Sequence, residues 1–352
     1  MLNQRKMDHL HICLHEDVEF KGLTTGLEGY RLVHQALPDL TPTEIDLSVS
    51  FLGRRLRAPV LISPMTGGTP KAQEINLHLA AAAEELGLAM GVGSQRAAIE
   101  DPALAATYRV RSVAPHIVLL ANLGAVQLNY GYGLDECRRA VEMIEADGLV
   151  LHLNPLQEYC QAEGNRDFRG LLPKIEAVCR QLGAPVIVKE VGWGLSPQVV
   201  RALFEAGVAA VDVAGAGGTS WSRVEQCRAS NEATWCLASA FETWGIPTAE
   251  AIRGARAVAG EEAVIIGSGG VRNGVQAAIA LALGANLVGL ALPLLKPAME
   301  SAEAVIRRLD QFVSELRLAA FATGSRTVEA LRHSPLVPVS GSMTGSAGGD
   351  RQ

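Results

Sequence analysis

The stretch PVIVKEVGWGLSPQVVRALFEAGVAAVDVAG, residues 185–215, decides the fold class. An apolar, β-branched run at Pro185–Val191 gives way to helical spacing over Pro197–Ala206 and then to a second run at Ala209–Gly215. Both runs are almost continuously hydrophobic, as parallel strands buried on two faces require. Two parallel strands need a crossover of this length, and a helix is the usual one.

Outward from this unit the pattern repeats. Runs at Pro59–Met65, Ala89–Ser94, His116–Leu123 and Gly148–Asn154 precede it, and Ala263–Gly269 and Leu287–Pro293 follow. Amphipathic stretches such as Gln73–Leu86 and Leu134–Ala146 stand between them. Eight β/α units over about 250 residues predict a (β/α)8 TIM barrel, assigned here to residues 59–320. An open doubly wound sheet fits less well, because no GxGxxG follows the first strand. Residues 1–58 read as an N-terminal extension: Arg5–Glu16 as a polar loop, Glu44–Leu56 as a strand or hairpin capping the barrel. The last helix is expected to run from Pro297 through Ala319. Residues 321–352 form a C-terminal segment whose Ser/Gly/Pro-rich part, from Ser334, is expected to be mobile.

The bulk composition narrows the class. Hydrophobic residues make up 48% of the 352, enough for a large core, and a net charge of −6 argues against general affinity for nucleic acid or an anionic membrane. The six cysteines, at 13, 137, 160, 179, 227 and 236, form no CxxC pair. With no signal peptide and no run long enough to span a bilayer, reduced thiols in the cytoplasm are the expectation.

Barrel enzymes place their working residues at the C-terminal strand ends. Here those ends carry Met65-Thr66-Gly67-Gly68, Ser94-Gln95-Arg96, Asn122, His152 to Glu158, Lys189, Thr219 and Gly267 to Arg272. So polar a ring on apolar strands implies a polar ligand or a dense internal network. The glycines at 267–270 lead into a helix N-terminus, which suits a phosphate, with a plain tight turn as the alternative. Lys189 needs an anionic or electron-rich partner, either the N1–C2 edge of a flavin or a structural pair with Glu190 or Asp212. Glu190 is the poorer partner, since strand neighbours face opposite sides. Glu158 alone is too few ligands for a metal cage but adequate for Mg2+ completed by water and phosphate. An ordinary helix start competes for Gln157-Glu158, and a merely supporting histidine for His152. Arg5-Lys6 could be solvated surface charge; Arg96 is the better candidate for gripping a phosphate.

Taken in order, Arg5-Lys-Met-Asp-His9, Pro64-Met-Thr-Gly-Gly68, Gly93-Ser-Gln-Arg96, Ala121-Asn-Leu-Gly124, His152-Leu-Asn-Pro-Leu-Gln-Glu158, Val188-Lys-Glu-Val-Gly-Trp-Gly194, Gly217-Gly-Thr-Ser220 and Ser268-Gly-Gly-Val-Arg272 resemble the type 2 isopentenyl diphosphate isomerases. The resemblance implies roles. Pro64, Met65, Thr66, Ser94, Asn122, Lys189 and Thr219 would contact FMN, and Gly269, Gly270, Val271, Ala291 and Leu292 would hold its phosphate. Arg5, Lys6, Ser94, Gln95, Arg96 and Gln157 would grip the substrate, and Glu158 would bind Mg2+. Reduced FMN, generated by NADPH, would be the acid–base group interconverting isopentenyl and dimethylallyl diphosphate, supported by His152 and Gln157. A tetramer or octamer is the assembly the family implies. The chain departs from the family pattern at Pro64, where a small residue is expected, and at Trp193, where Phe is usual.

Two other classes share parts of this pattern. An FMN-dependent hydroxy-acid oxidase or dehydrogenase calls for a histidine base near strands five to eight, yet none of the eight histidines lies between 153 and 332. A cysteine-nucleophile dehydrogenase would need a reactive thiol after strand six, where Cys227 sits in a helical pattern.

Overall fold

The computed structural model describes residues 2–339. A short strand, β1 (Tyr30–Leu32), and a hairpin, β2 (Val49–Phe51) with β3 (Arg54–Leu56), precede the barrel. The barrel strands are β4 (Val60–Ile62), β5 (Ala89–Gly91), β6 (Leu119–Gly124), β7 (Gly148–His152), β8 (Val186–Lys189), β9 (Ala210–Asp212), β10 (Val264–Gly267) and β11 (Leu287–Leu290). They pair in parallel in that order, and β11 closes on β4. All eight coincide with the apolar runs. Helices follow as the periodicity required, among them Pro70–Leu86, Leu134–Met143 and Pro197–Glu205. Thr69 and Ser196 each cap the first turn through a side-chain oxygen, and Pro occupies the first helical position in both.

The hairpin caps the barrel floor. Phe51 and Leu56 are buried against Leu61, Ala89, Val118, Leu120, Val150, Ile187, Ala210, Ile266 and Leu287. Burying such a side chain contributes about 1.5–3 kcal/mol, so the hairpin is held by its apolar face. Its arginines stay outside, Arg54 on Asp147 (2.7 Å) and Arg55 on Asp46 (2.9 Å).

Three expectations are corrected. Residues expected as a polar loop, Arg5–Glu16, belong instead to the helix Leu2–His15. Its apolar residues are interleaved with charged and histidine side chains and form no clear stripe to announce a helix; Leu10 and Ile12 become buried because the segment docks over the barrel mouth. The last long helix is Ala302–Ala322, separated from Leu292–Glu300 at Ser301, whose hydroxyl caps the new helix through the Ala304 amide. The chain then continues past it with the helix Val328–Arg332 and a further strand, β12 (Leu336–Pro338). That strand pairs antiparallel with β1, so part of the segment expected to be mobile is tied into a two-stranded sheet, and the N- and C-terminal segments are joined. Residues 340–352 of the tail lie outside the described residues. Among those described, no helix is long and apolar enough to cross a membrane.

Candidate active site

A cavity of about 280 Å3 opens at the C-terminal ends of the strands. Of the residues singled out in the sequence, Arg5, Lys6, Pro64, Met65, Thr66, Ser94, Arg96, Asn122, His152, Gln157, Glu158, Lys189, Thr219, Gly269, Gly270, Val271, Ala291 and Leu292 all line it. Gln95 does not. It is wholly buried, donating to the Ala140 carbonyl (2.8 Å) and accepting the Asn122 amide (2.9 Å), so the expected substrate contact becomes a brace between β5 and β6.

One side of the cavity is walled by backbone. The loop after β10 turns at Gly269 (φ +104°) and packs on Gly215, where a Cβ at 269 would stand 2.0 Å from the carbonyl oxygen. Gly270 (φ +75°) is tight as well, a Cβ there standing 2.5 Å from Thr25 Cγ2 and 2.7 Å from the Gly217 oxygen. Only glycine allows both the left-handed backbone and this approach. Asn273 then caps the helix Gly274–Ala282 through the Gln276 amide. This loop follows the seventh barrel strand, one of the two places where this fold builds phosphate sites.

Strand register sets the next layer. Gly124, His152, Lys189 and Asp212 stand side by side across β6 to β9. The Asn122 amide donates to the Val92 carbonyl (3.1 Å) and turns Oδ1 to His152 Nδ1 (2.8 Å), which therefore carries the proton. Burial, then the Lys189 charge, pushes His152 down to about 3, so the imidazole is neutral and Nε2 is an acceptor beside Gly124. Burial lowers Lys189 too, and Asp212 opposes that shift. Glu190 turns away, its carboxylate taking the amides of Val191, Gly192 and Trp193 at 2.5–2.7 Å.

The helix Leu2–His15 roofs the site. Lys6 donates to the carbonyls of Gly67 (2.7 Å) and Ser94 (3.1 Å) and to the Tyr108 hydroxyl (2.5 Å), which in turn donates to Ser94 (2.7 Å). Burial, and secondarily the Arg5 charge, lowers Lys6 to about 7. Arg5 donates to Gln161 Oε1 (2.7 Å). His9 meets Glu225 (2.9 Å), pinning the roof to the helix Trp221–Arg228. The terminal pair is thus no solvated charge. Arg96 reaches Glu100 (2.7 Å) and Asn165 (2.9 Å), while Glu158 accepts from Asn165 N (2.5 Å) and Asn154 Nδ2 (3.1 Å). Gln157 Nε2 points to Glu225 at the limit of bonding (3.5 Å).

Tyr108, Gln161, Asn165 and Glu225 escaped the sequence reading, and Asn154, within the His152–Glu158 segment, was given no role of its own. The four lie outside strand ends, in a loop or on a helix, and no spacing marks them. The two departures from the family pattern differ in weight. Pro64 lines the cavity and packs on Gly91, whereas Trp193 is buried behind it among Phe20, Leu156, Val191 and Trp221.

Comparison with known proteins bears on this geometry. A family model described as FMN-dependent dehydrogenase matches residues 1–113 and 157–338. Isopentenyl-diphosphate delta-isomerases from Nostoc sp. (51% identical; 94% of this chain, 94% of that one), Synechococcus sp. (54%; 94% and 95%) and Xanthobacter autotrophicus (54%; 95% and 97%) are similar over nearly their whole lengths. This chain belongs to the isopentenyl-diphosphate delta-isomerase family. Among solved structures, a mandelate oxidase variant with (S)-mandelic acid superposes with a TM-score of 0.68 at 18% identity, over 96% of this chain and 97% of that one. A lactate oxidase from Pediococcus acidilactici does so at 0.67 and 16%, over 96% and 93%. Those likenesses carry the barrel fold alone. The oxidase alternative lacks its base in this isomerase-family chain, whose cavity histidines are His9 and His152. Cys227 is exposed on a helix and not part of the cavity wall, which removes the thiol-nucleophile reading.

Proposed function

We propose that this protein interconverts isopentenyl and dimethylallyl diphosphate with Mg2+ and with FMN that NADPH has reduced. One observation carries the reading: a single cavity has two anion-binding ends. The glycine cradle follows β10, while Arg96 after β5 and Gln157 and Glu158 after β7 gather with Arg5 of the roof helix; β7 stands across the barrel from β11, the neighbour of β10. The residues fit a flavin mononucleotide. Backbone amides bent by Gly269 and Gly270 suit its phosphate, Lys189 suits the negative edge of its reduced ring, and Ser63, on the cavity lining, keeps a buried hydroxyl with no partner among the described residues. They also fit Mg2+ sparingly. Glu158 and the unpartnered Asn154 Oδ1 are oxygen donors, and no cluster of three acidic, His or Cys ligands exists among the described residues, so water and diphosphate would complete the shell.

When bound, reduced FMN supplies an acid–base pair and an electron-rich face beside the alkene. The chain's own residues do the rest. Arg5, Lys6 and Arg96 hold the diphosphate. The roof helix excludes water, which strengthens every such contact. His152, neutral and fixed by Asn122, accepts rather than donates toward the cavity, and Glu158, the one carboxylate on the cavity wall, is engaged by Asn154 and Asn165. Among the described residues no further carboxylate lines the cavity to protonate a carbon–carbon double bond.

Isopentenyl diphosphate should turn over with FMN, Mg2+ and NADPH, and equally with dithionite in place of NADPH. Full activity with oxidised flavin, or with none, would remove the flavin from the chemistry. Glu158→Gln keeps shape and loses charge. A fall in activity of at least tenfold, partly recovered at high Mg2+ with FMN affinity nearly unchanged, is expected; an unaltered Mg2+ dependence would return Glu158 to a structural role. Tyr108→Phe removes one oxygen from around Lys6 and keeps the ring. A bond to a charged group contributes about 1.5–3 kcal/mol, so the Michaelis constant should rise by about tenfold with FMN binding intact.

A further inference from the structure

Asp212 ends β9, is 1% exposed, and stands opposite Lys189 in the parallel register. Its Oδ1 takes the Ser268 hydroxyl (2.5 Å) and the Ala214 amide (3.3 Å), while Oδ2 is buried with no hydrogen-bond partner among the described residues. Burial pushes Asp212 up toward the acid, and the Lys189 charge, the Ser268 hydroxyl and the Ala214 amide oppose that by favouring the carboxylate. A buried carboxylate with one free oxygen is costly unless a cation compensates it.

Three titratable groups surround Lys189. His152, on β7, is neutral and brings no charge. Glu190, on its own strand, accepts from Nζ through its carbonyl (2.6 Å), and its carboxylate, held by three amides, is the lesser of two negative charges favouring the ammonium. Asp212, on β9, is the larger, and it opposes the loss of charge that burial would otherwise cause. Sequence alone raised Asp212 only as a structural partner that would make Lys189 uninteresting. The geometry combines the two readings: Lys189 is on the cavity wall, Asp212 is behind it, and Ser268 aims the carboxylate.

We infer that Asp212, oriented by Ser268, is a positioning residue that keeps Lys189 an ammonium before the flavin is reduced, so that the negative charge of reduced FMN meets a preformed cation. The inference rests on the flavin reading above. Without Asp212 the lysine would be a neutral amine beside oxidised FMN and would have to collect a proton when the reduced ring binds. Proton linkage makes that visible: one extra proton taken up changes a dissociation constant tenfold per pH unit.

The experiment is anaerobic titration of the protein with oxidised and with dithionite-reduced FMN, from about pH 6 to about pH 9, spanning the range between histidine and lysine. Wild type, Asp212→Asn, Lys189→Met and the double variant are compared. In Asp212→Asn the constant for reduced FMN should rise tenfold more per pH unit than in wild type, and the excess should vanish in the double variant. A merely structural role for Asp212 would weaken binding without changing the proton count. Ser268→Ala, which leaves the carboxylate present but unaimed, should show the same excess over a narrower pH range, and it serves if Asp212→Asn does not fold. Wild-type pH dependence in both variants, or an excess that survives loss of Lys189, overturns the inference and leaves the flavin reading intact. Failure of the wild-type protein to bind FMN overturns both.

Discussion

Gly269→Ala is expected to weaken FMN binding at least a hundredfold. Position 269 has φ +104°, which L side chains rarely adopt, and its Cβ would lie 2.0 Å from the Gly215 oxygen and 2.6 Å from the Gly215 nitrogen. Both obstacles are backbone, so neither can swing aside as a side chain would. The loop after β10 must move, and with it the amides of Gly270 and Val271 proposed to face the phosphate. A stability loss of about 2–4 kcal/mol should accompany this, in the range of backbone strain added to a packing clash. Gly183→Ala is the control: its φ is +78°, but nothing lies within 4 Å of the added Cβ. It should lose about 1 kcal/mol and keep its FMN affinity. Calorimetry of FMN binding with thermal melts separates the two; equal losses at both positions would show that the 269 loop does not hold the phosphate.

The second large effect falls on the roof. Lys6→Ala and Arg5→Ala should each raise the Michaelis constant for isopentenyl diphosphate ten- to a hundredfold, since each removes a charge-assisted contact in a dehydrated site. Arg54→Ala and Arg55→Ala, on the floor hairpin, should do little. Lys6 also predicts a pH signature. Its burial-lowered value, about 7, leaves the free enzyme with an ammonium below that pH and an amine above it. The diphosphate selects the ammonium, so kcat/KM should decline as pH rises through about 7, and Lys6→Ala should lose that limb. Stability runs the other way. Between about 7 and the ordinary lysine value of 10.5 the unfolded chain holds the proton and the folded chain does not. The Lys6 contribution therefore stabilises the fold as pH rises through that window. Equal, small kinetic effects at all four positions would return Arg5 and Lys6 to the status of surface charge.

The eight strands and the polar ring at their ends were legible because both are local in origin. A strand buried on two faces must be apolar along its length, and a polar residue terminating it stands out against that background. Lys189 within Val186-Ile-Val, or the glycines after Ile266, can be recognised without knowing what they touch. Ordered motifs over nearly the whole chain likewise carried the family. The roof helix could not be read in this way. Its hydrophobic residues are interleaved with His, Asp, Lys and Arg and form no clear stripe, and the surface that buries Leu10 and Ile12 is supplied by segments hundreds of residues away. Helices of that length gain most of their stability from tertiary packing. The strand Leu336–Pro338 is similar, three residues whose pairing partners at Tyr30–Leu32 lie 304 to 308 positions earlier.

Direction of side chains was the other thing that sequence left open. Ser94, Gln95 and Arg96 are consecutive, yet two line the cavity while the middle one braces β6, because the turn after β5 rotates it inward. Asp212 and Lys189, 23 positions apart, become neighbours only through the parallel register of β8 and β9. Composition and periodicity thus determined the barrel and which strand ends bear chemistry, since burial of each strand is a property of its own residues. Which of those groups face the ligand, and which face one another, was decided by tertiary structure, since pairing register and the docking of the roof bring together residues that no local rule connects.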